Sequence, residues 1–281
     1  MYHETMVTIQ RSVPTWCLTA AILVLTVTVG HPAAAQSTDA EVCPGVADGM
    51  VTIAATDGWR TLVTTDGTRL LPAGIADFGV IEPESPDIRE AAAGALESAF
   101  RHHMGKPLGV RYLSDRNDRR GRRPVLFYHD GRLIQQRLIE EGQAIAFPFG
   151  GELPCASEFL GAEGRARAAG HGYWNRRDDW ISGPRSGDFL NRINRFAIFE
   201  AKVVSVGTRT SRTYLNFGGR WATDVTVEIP ERSRAAFGGA EALEALQGRR
   251  IRVRGFAVEK SGPMIEVRRP WQIEVLTNPS R

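Results

Sequence analysis

The residues best suited to chemistry lie in two arginine-rich stretches. The first is "DRNDRRGRRPVLFYHDGR" (115–132), where Asp115 and Asp118 are interleaved with Arg116, Arg119, Arg120, Arg122 and Arg123 ahead of an apolar run. Guanidinium groups on a tight turn suit phosphate, because the planar fork meets two oxygens at once. A solvated hairpin whose acids and bases neutralise one another locally has the same composition, and such exposed pairs contribute little energy. The second stretch is "RRIRVRG" (249–255), in which Arg250, Arg252 and Arg254 alternate with Ile251 and Val253. A strand with this alternation carries a basic row on one face and an aliphatic row on the other. Arg268, Arg269 and Trp271 follow, and Tyr214, Phe217 and Trp221 lie on neighbouring runs. Charge beside rings is the combination used by single-strand nucleic-acid binders. The competing arrangement is a solvent-facing arginine strand over a small aromatic core.

Other reactive side chains are few. Cys17 lies in an apolar run, which leaves Cys43 and Cys155. In an exported chain two thiols read most simply as one disulfide. A catalytic cysteine would need His102, His103, His129 or His171 as its base, and none of these sits in a nucleophile motif. His102 and His103 end a candidate helix, where cations are favoured, and read as capping residues; His129 and His171 likewise carry no ligand pattern.

These groups need elements to position them. The segment 1–35 has the layout of a secretory signal, with "TWCLTAAILVLTVTVG" as its apolar run and Ala33 and Ala35 at the small-residue positions of the cleavage site. An uncleaved anchor is the alternative and asks for a longer run. Cleavage implies a periplasmic or secreted protein with no membrane span. Beyond it, "MVTIAAT" (50–56) and 60–71 read as strands, the second turning at Asp66–Gly67. Residues 86–105 have helical periodicity with Leu96, Ala99 and Phe100 on the apolar face, and stop at Gly105. "LGVRYL" and "PVLFYHDGR" are strands, 132–143 is a helix, and 156–170 is another ended by Gly170. The order is an α+β, mainly β pattern around a small barrel.

The second half of this region carries a resemblance. "DRRGRRPVLFYHDGRLIQQRLIEEGQAIAF" followed by "CASEFLGAEGRARAAGHGYW" resembles the thermonuclease, or staphylococcal-nuclease-like, family. The positions that carry it are Asp118, Gly121, Arg122, Asp130, Gly131, Gly142, Glu163, Arg167, Gly172 and Trp174, within about residues 50–174. The resemblance implies a five-stranded OB-fold barrel with three helices, and phosphodiester cleavage by Ca²⁺ held on carboxylates, a water-activating Glu and two phosphate-gripping arginines. Hard cations need oxygen ligands, and developing phosphoryl charge needs fixed donors. In this chain the family's DGDT loop falls on Asp57-Gly58-Trp59-Arg60, and its RLAGIDAPE segment falls on "LPAGIADFG" (71–79), anchored by Ala73-Gly74-Ile75. The first arginine is then Leu71, the metal-binding Asp is Ala76 and the general base is Gly79. Arg122 alone survives as a catalytic residue. Arg69, Asp77, Glu82 and Glu84 are substitutes only if the register slips, which would turn a strand's side chains to the other face.

Residues 181–194 are polar, with Gly183-Pro184 and Gly187, and read as a linker between a domain at 36–180 and a second at 195–277; 278–281 is a tail. The second domain has three β-rich runs, a short helix and two more runs, the OB order. Residues 195–281 hold 15 Lys and Arg against nine Asp and Glu, while the whole chain is only +3. The expected site residues are therefore Arg122 for catalysis and Arg119, Arg120, Arg250, Arg252 and Arg254 for nucleic acid, with a Cys43–Cys155 disulfide and no metal ligand. The expected function is a catalytically impaired, exported protein binding nucleic acid or another polyanion, without a cofactor. The alternatives are an active phosphodiesterase using Ca²⁺, and a cell-envelope adaptor with a protein partner.

Overall fold

Alternation of β-branched and small residues in "GMVTIAAT" forms β1 (Gly49–Thr56). In a computed structural model, which describes residues 43, 45, 47–58, 60–81, 92, 94–183, 189–220 and 223–276, β1 pairs antiparallel with both β2 (Leu62–Thr64) and β5 (Pro107–Tyr112). The segment read as a signal, Trp59, Glu82, Glu84, Trp221 and the 278–281 tail lie outside the described residues. Asp66–Gly67 turns β2 into β3 (Arg69–Pro72): Gly67 takes a positive φ, and the Asp66 carboxylate accepts from the Thr64 hydroxyl and the Thr68 N–H. β5 pairs antiparallel with β6 (Arg123–His129), and β6 closes parallel onto β3 with Leu70 opposite Arg123. Five strands thus form a closed, OB-like barrel filled by Ile53, Leu62, Leu70, Leu108, Val110, Val125 and Phe127.

The segment after β3 adds β4 (Ile75–Ala76). Helix α1 (Ala95–Arg101) buries Leu96, Ala99 and Phe100, the face that the sequence periodicity marks. β7 (Arg132–Leu133) and α2 (Ile134–Glu140) lead to β8 (Ile145–Ala146), which pairs with β4. α3 (Ala156–Ala169) ends at Gly170 in the left-handed conformation, its N–H returning to the Ala166 and Arg167 carbonyls. Two glycines of the barrel half answer to packing. A Cβ on Gly142 would stand 2.0 Å from the His171 carbonyl oxygen, and one on Gly74 would stand 2.4 Å from the Phe159 ring. Both also have positive φ, so no other residue fits without moving α3 or the chain that follows it.

After α4 (Arg177–Trp180), a second mixed sheet is built from β9 (Ile181–Ser182), β10 (Phe196–Lys202), β11 (Ser205–Thr208), β12 (Arg212–Asn216), β13 (Thr226–Pro230), β14 (Arg250–Glu259), β15 (Pro263–Glu266) and β16 (Ile273–Val275). Its order is β11-β12-β13-β15-β14-β10-β9, with β13 and β15 parallel and β16 against β14. The helix α5 (Ala240–Glu244) lies between β13 and β14. Phe199, Leu215, Val227, Ile229, Ile251, Val253 and Ile265 make its core.

The described residues of the expected linker are not a free tether. β9 adds to the C-terminal sheet, Phe189 is fully buried, and the buried Arg192 donates to the Trp180 and Asp179 carbonyls. Phe78, Ile81, Phe147 and Trp174 from the barrel side pack in one cluster with Trp180, Phe196 and Ile198. Barrel and sheet belong to one compact unit. Among the described residues, no helix is long and apolar enough to cross a membrane.

Candidate anion-binding site

The turn before β6 is organised by Asp118. Its Oδ1 accepts from the backbone N–H groups of Arg120 and Arg122, and Oδ2 accepts from Nε and Nη2 of Arg122 at 2.9 and 2.7 Å. Gly121 supplies the positive φ that brings Arg122 back over the turn. Burial pushes the Asp118 carboxyl up, but the Arg122 side chain and the two N–H donors outweigh it and hold the group below its ordinary range. Arg122 is only 4% exposed, whereas Arg116, Arg119 and Arg120 in the same turn are exposed. The stretch is thus both of the things its composition suggests: a locally neutralised turn, and a buried arginine with an exposed basic fringe.

Arg60, which follows the position of the replaced loop acid, is drawn into the same interior. Its Nη2 donates to the Pro72 carbonyl at 3.4 Å, and its guanidinium stands 4.9 Å from the centre of the Phe147 ring. Burial and then repulsion from Arg122 pull its pKa down to about 9, partly offset by Asp77 and Asp118. Asp77 accepts from the Gly79 N–H at 3.0 Å, and burial, its dominant influence, raises its carboxyl above the ordinary value. Asp77 therefore does face Arg60 electrostatically, but as a buried turn-capping acid. Arg69 points elsewhere, paired with Asp57 at the surface.

The positions that the resemblance gives to metal and base are apolar or bare. Leu71 and Ala76 are buried in the core, and Gly79 contributes a backbone N–H. Among the described residues no three His, Cys, Asp or Glu side chains gather as metal ligands. The nearby carboxylates, Asp77 and Asp118, are already engaged by backbone donors and by Arg122. The donor set among the described residues does not fit Ca²⁺, which takes six to eight oxygens.

The arginine row of β14 is placed differently from the sequence expectation. The alternation holds, with Ile251 and Val253 in the C-terminal core. The other face, however, turns toward the barrel instead of solvent. Arg254, 1% exposed, forks onto Glu163 of α3 at 2.9 and 3.1 Å and also meets Glu274 of β16 at 2.6 Å. Arg252 is buried between Glu200 and Glu274, and Glu200 further binds Arg177 and Arg250. Arg167 joins Glu163 at 2.8 Å. Only Arg250 of the three keeps an exposed side chain. Arg254 is thus committed to joining the two halves and Arg252 to the acids of its own sheet, and both are withdrawn from any external ligand. Among the aromatics, Phe217 is buried against Phe199, Tyr214 is half-buried, and Trp271 packs against the barrel core. Arg268 and Arg269 pair with Glu266 and Glu152.

His103 is not a charged cap. It is buried, its Nε2 accepts from Arg137 Nη2 at 2.9 Å, and the His129 ring lies 5.2 Å away. Because arginine only donates, the proton sits on Nδ1. Burial, then Arg137, His129, Lys106 and His102, lower its pKa to about 4. The unfolded chain takes up this proton near pH 6.5 and the native protein resists it until about pH 4. The contribution of the neutral ring is therefore whole above pH 6.5 and declines as the pH falls toward 4. Thermal melts of a His103→Gln variant should show a flatter stability profile than the parent over that interval; parallel profiles would contradict the assignment.

Compared with known proteins, the chain matches no protein-family model and no curated protein.

Proposed function

We propose that this is an exported, non-cleaving polyanion-binding protein, with nucleic acid as the favoured ligand, built on a thermonuclease-like barrel followed by a second OB-like barrel. The observation that supports the reading is the exposed fringe of Arg116, Arg119 and Arg120 on the turn organised by Asp118 and Arg122, in a barrel whose metal and base positions are Ala76 and Gly79. The second barrel rests on strand connectivity: β10 and β11 are two residues apart and pair with β14 and β12 respectively, so the sheet order returns to one stretch of chain.

The test is anisotropy of a labelled oligonucleotide across a salt series. The logarithm of affinity should fall linearly with the logarithm of salt. Arg119→Ala with Arg120→Ala should reduce the slope by about 0.7–0.9 for each phosphate no longer neutralised. Absence of binding, or binding indifferent to salt, would overturn the polyanion reading and favour an adaptor for a protein partner.

A further inference from the structure

The two halves of the Cys43–Cys155 bond are unequally covered. Cys155 is 1% exposed, whereas Cys43 is half-buried and lines a surface cavity of about 410 Å³. Tyr128 and four side chains of β7 and α2, Arg132, Gln136, Arg137 and Glu140, line the same cavity. Glu140 is answered by Arg165 at 2.7 Å and by Gln136 at 3.1 Å, and Arg137 donates to His103. Arg132 is exposed and supplies the cavity with accessible positive charge. Cys155 stands at the N-cap of α3, and no side chain caps that end of the helix. The positive end of a helix dipole favours a thiolate there. Glu158 in the first turn opposes this, but its Oε1 is taken up by the Cys43 N–H at 3.4 Å.

We propose that Cys43 is a thiol-exchange site, where a small anionic thiol enters the cavity beside Arg132 and opens the bond to Cys155. This goes beyond the polyanion reading and does not depend on it. The thiol gives its proton to water, and its sulfur bonds to Cys43 Sγ as the Sγ–Sγ bond breaks. Cys155 leaves with the electron pair as a thiolate and takes a proton from water. The attacking thiol is thereby oxidised to one half of a mixed disulfide, and Cys155 is reduced. Access and leaving group point the same way, because exchange is faster at a reachable sulfur that expels a stabilised thiolate. Cys155, Phe159 and Glu163 are all buried and recur at four-residue intervals along α3. The exchange therefore releases the head of the helix whose Glu163 grips Arg254 of the second sheet.

The experiment exposes the native full chain to mercaptoethanesulfonate or to mercaptoethanol, which carries no second charge. Samples are quenched in acid, freed thiols are alkylated in denaturant, and both cysteines are mapped by mass spectrometry. The expected result is an adduct on Cys43 and the alkyl label on Cys155, formed at a rate proportional to thiolate concentration. At equal thiolate concentration the sulfonate should react faster, and added salt should shrink its advantage. Arg132→Ala should slow the sulfonate roughly threefold, in the range for one exposed charge, and slow mercaptoethanol less. Arg132→Lys should keep the parent rates. Adducts divided equally between the two cysteines, or a rate that stops rising with thiolate, would mean that the bond opens only in the unfolded chain and would overturn the proposal. So would a sulfonate preference that survives Arg132→Ala, or a parent whose two thiols are free.

Discussion

Replacing Arg254 with methionine should destabilise the protein by about 3–5 kcal/mol, the range for removing one member of a buried ion pair. The change strands Glu163, which is fully buried and keeps only the Ala146 N–H and Arg167 as donors. Burial alone pushes the Glu163 carboxyl up; Arg254, then Arg167 and the Ala146 N–H, more than reverse this and hold it below its usual value. A depressed carboxylate contributes stability that is present above the unfolded pKa and lost as the pH falls through the folded one. Without Arg254 the sign turns, because burial then favours the protonated acid. The deficit of the variant should therefore be largest at neutral pH and shrink toward about pH 4, near the ordinary carboxylate range. Pairing Arg254→Met with Glu163→Gln should restore part of the loss, since the buried carboxylate is removed while Arg167 falls back on Glu274 at 3.8 Å. Denaturant titrations of the parent, the single variant and the double variant, near neutrality and in mild acid, measure all of this. No recovery in the double variant would show that the two residues do not interact.

Removing the Cys43–Cys155 bond should have an effect of similar size. The bond joins the segment before β1 to the start of α3 across 112 residues. Cross-linking over such a span removes unfolded-state entropy worth about 4–5 kcal/mol in the loop-closure treatment. Cys155 is buried in the barrel core cluster and Cys43 packs against it. Cys43→Ser with Cys155→Ser should lower the denaturation midpoint and steepen the transition, because the uncrosslinked chain exposes more surface on unfolding. Reductant should bring the parent to the same midpoint and leave the double variant untouched. An unchanged midpoint under reductant would mean that the thiols are not joined.

The barrel was legible where local chemistry decides it. Asp66–Gly67 announces its own turn, and the apolar face of α1 and the glycine that ends α3 are written in spacing that few alternatives fit. The Cys43–Cys155 pairing was legible by elimination. The fate of the β14 arginines was not. Period-two alternation separates two faces of a strand but is silent on what covers each. The acid that claims Arg254 lies 91 residues earlier on a helix, at no spacing a linear reading can connect. His103 escapes a linear reading for the same reason: its position suggests a charged cap, and burial, with Arg137 packed against it from another helix, makes it neutral. At the candidate site, the arginine turn was visible through Asp118, Gly121 and Arg122. The arrival of Arg60 and Asp77 beside it depends on barrel closure, which no motif records.

The central claim is that this barrel grips a polyanion without cutting it. The direct measurement is to incubate the full chain with labelled single-stranded DNA, with Ca²⁺ and with chelator, and to follow bound and cleaved fractions in the same samples. The predicted result is salt-sensitive binding in both conditions with the strand intact. Cleavage that requires Ca²⁺ and disappears in Arg122→Ala would contradict it.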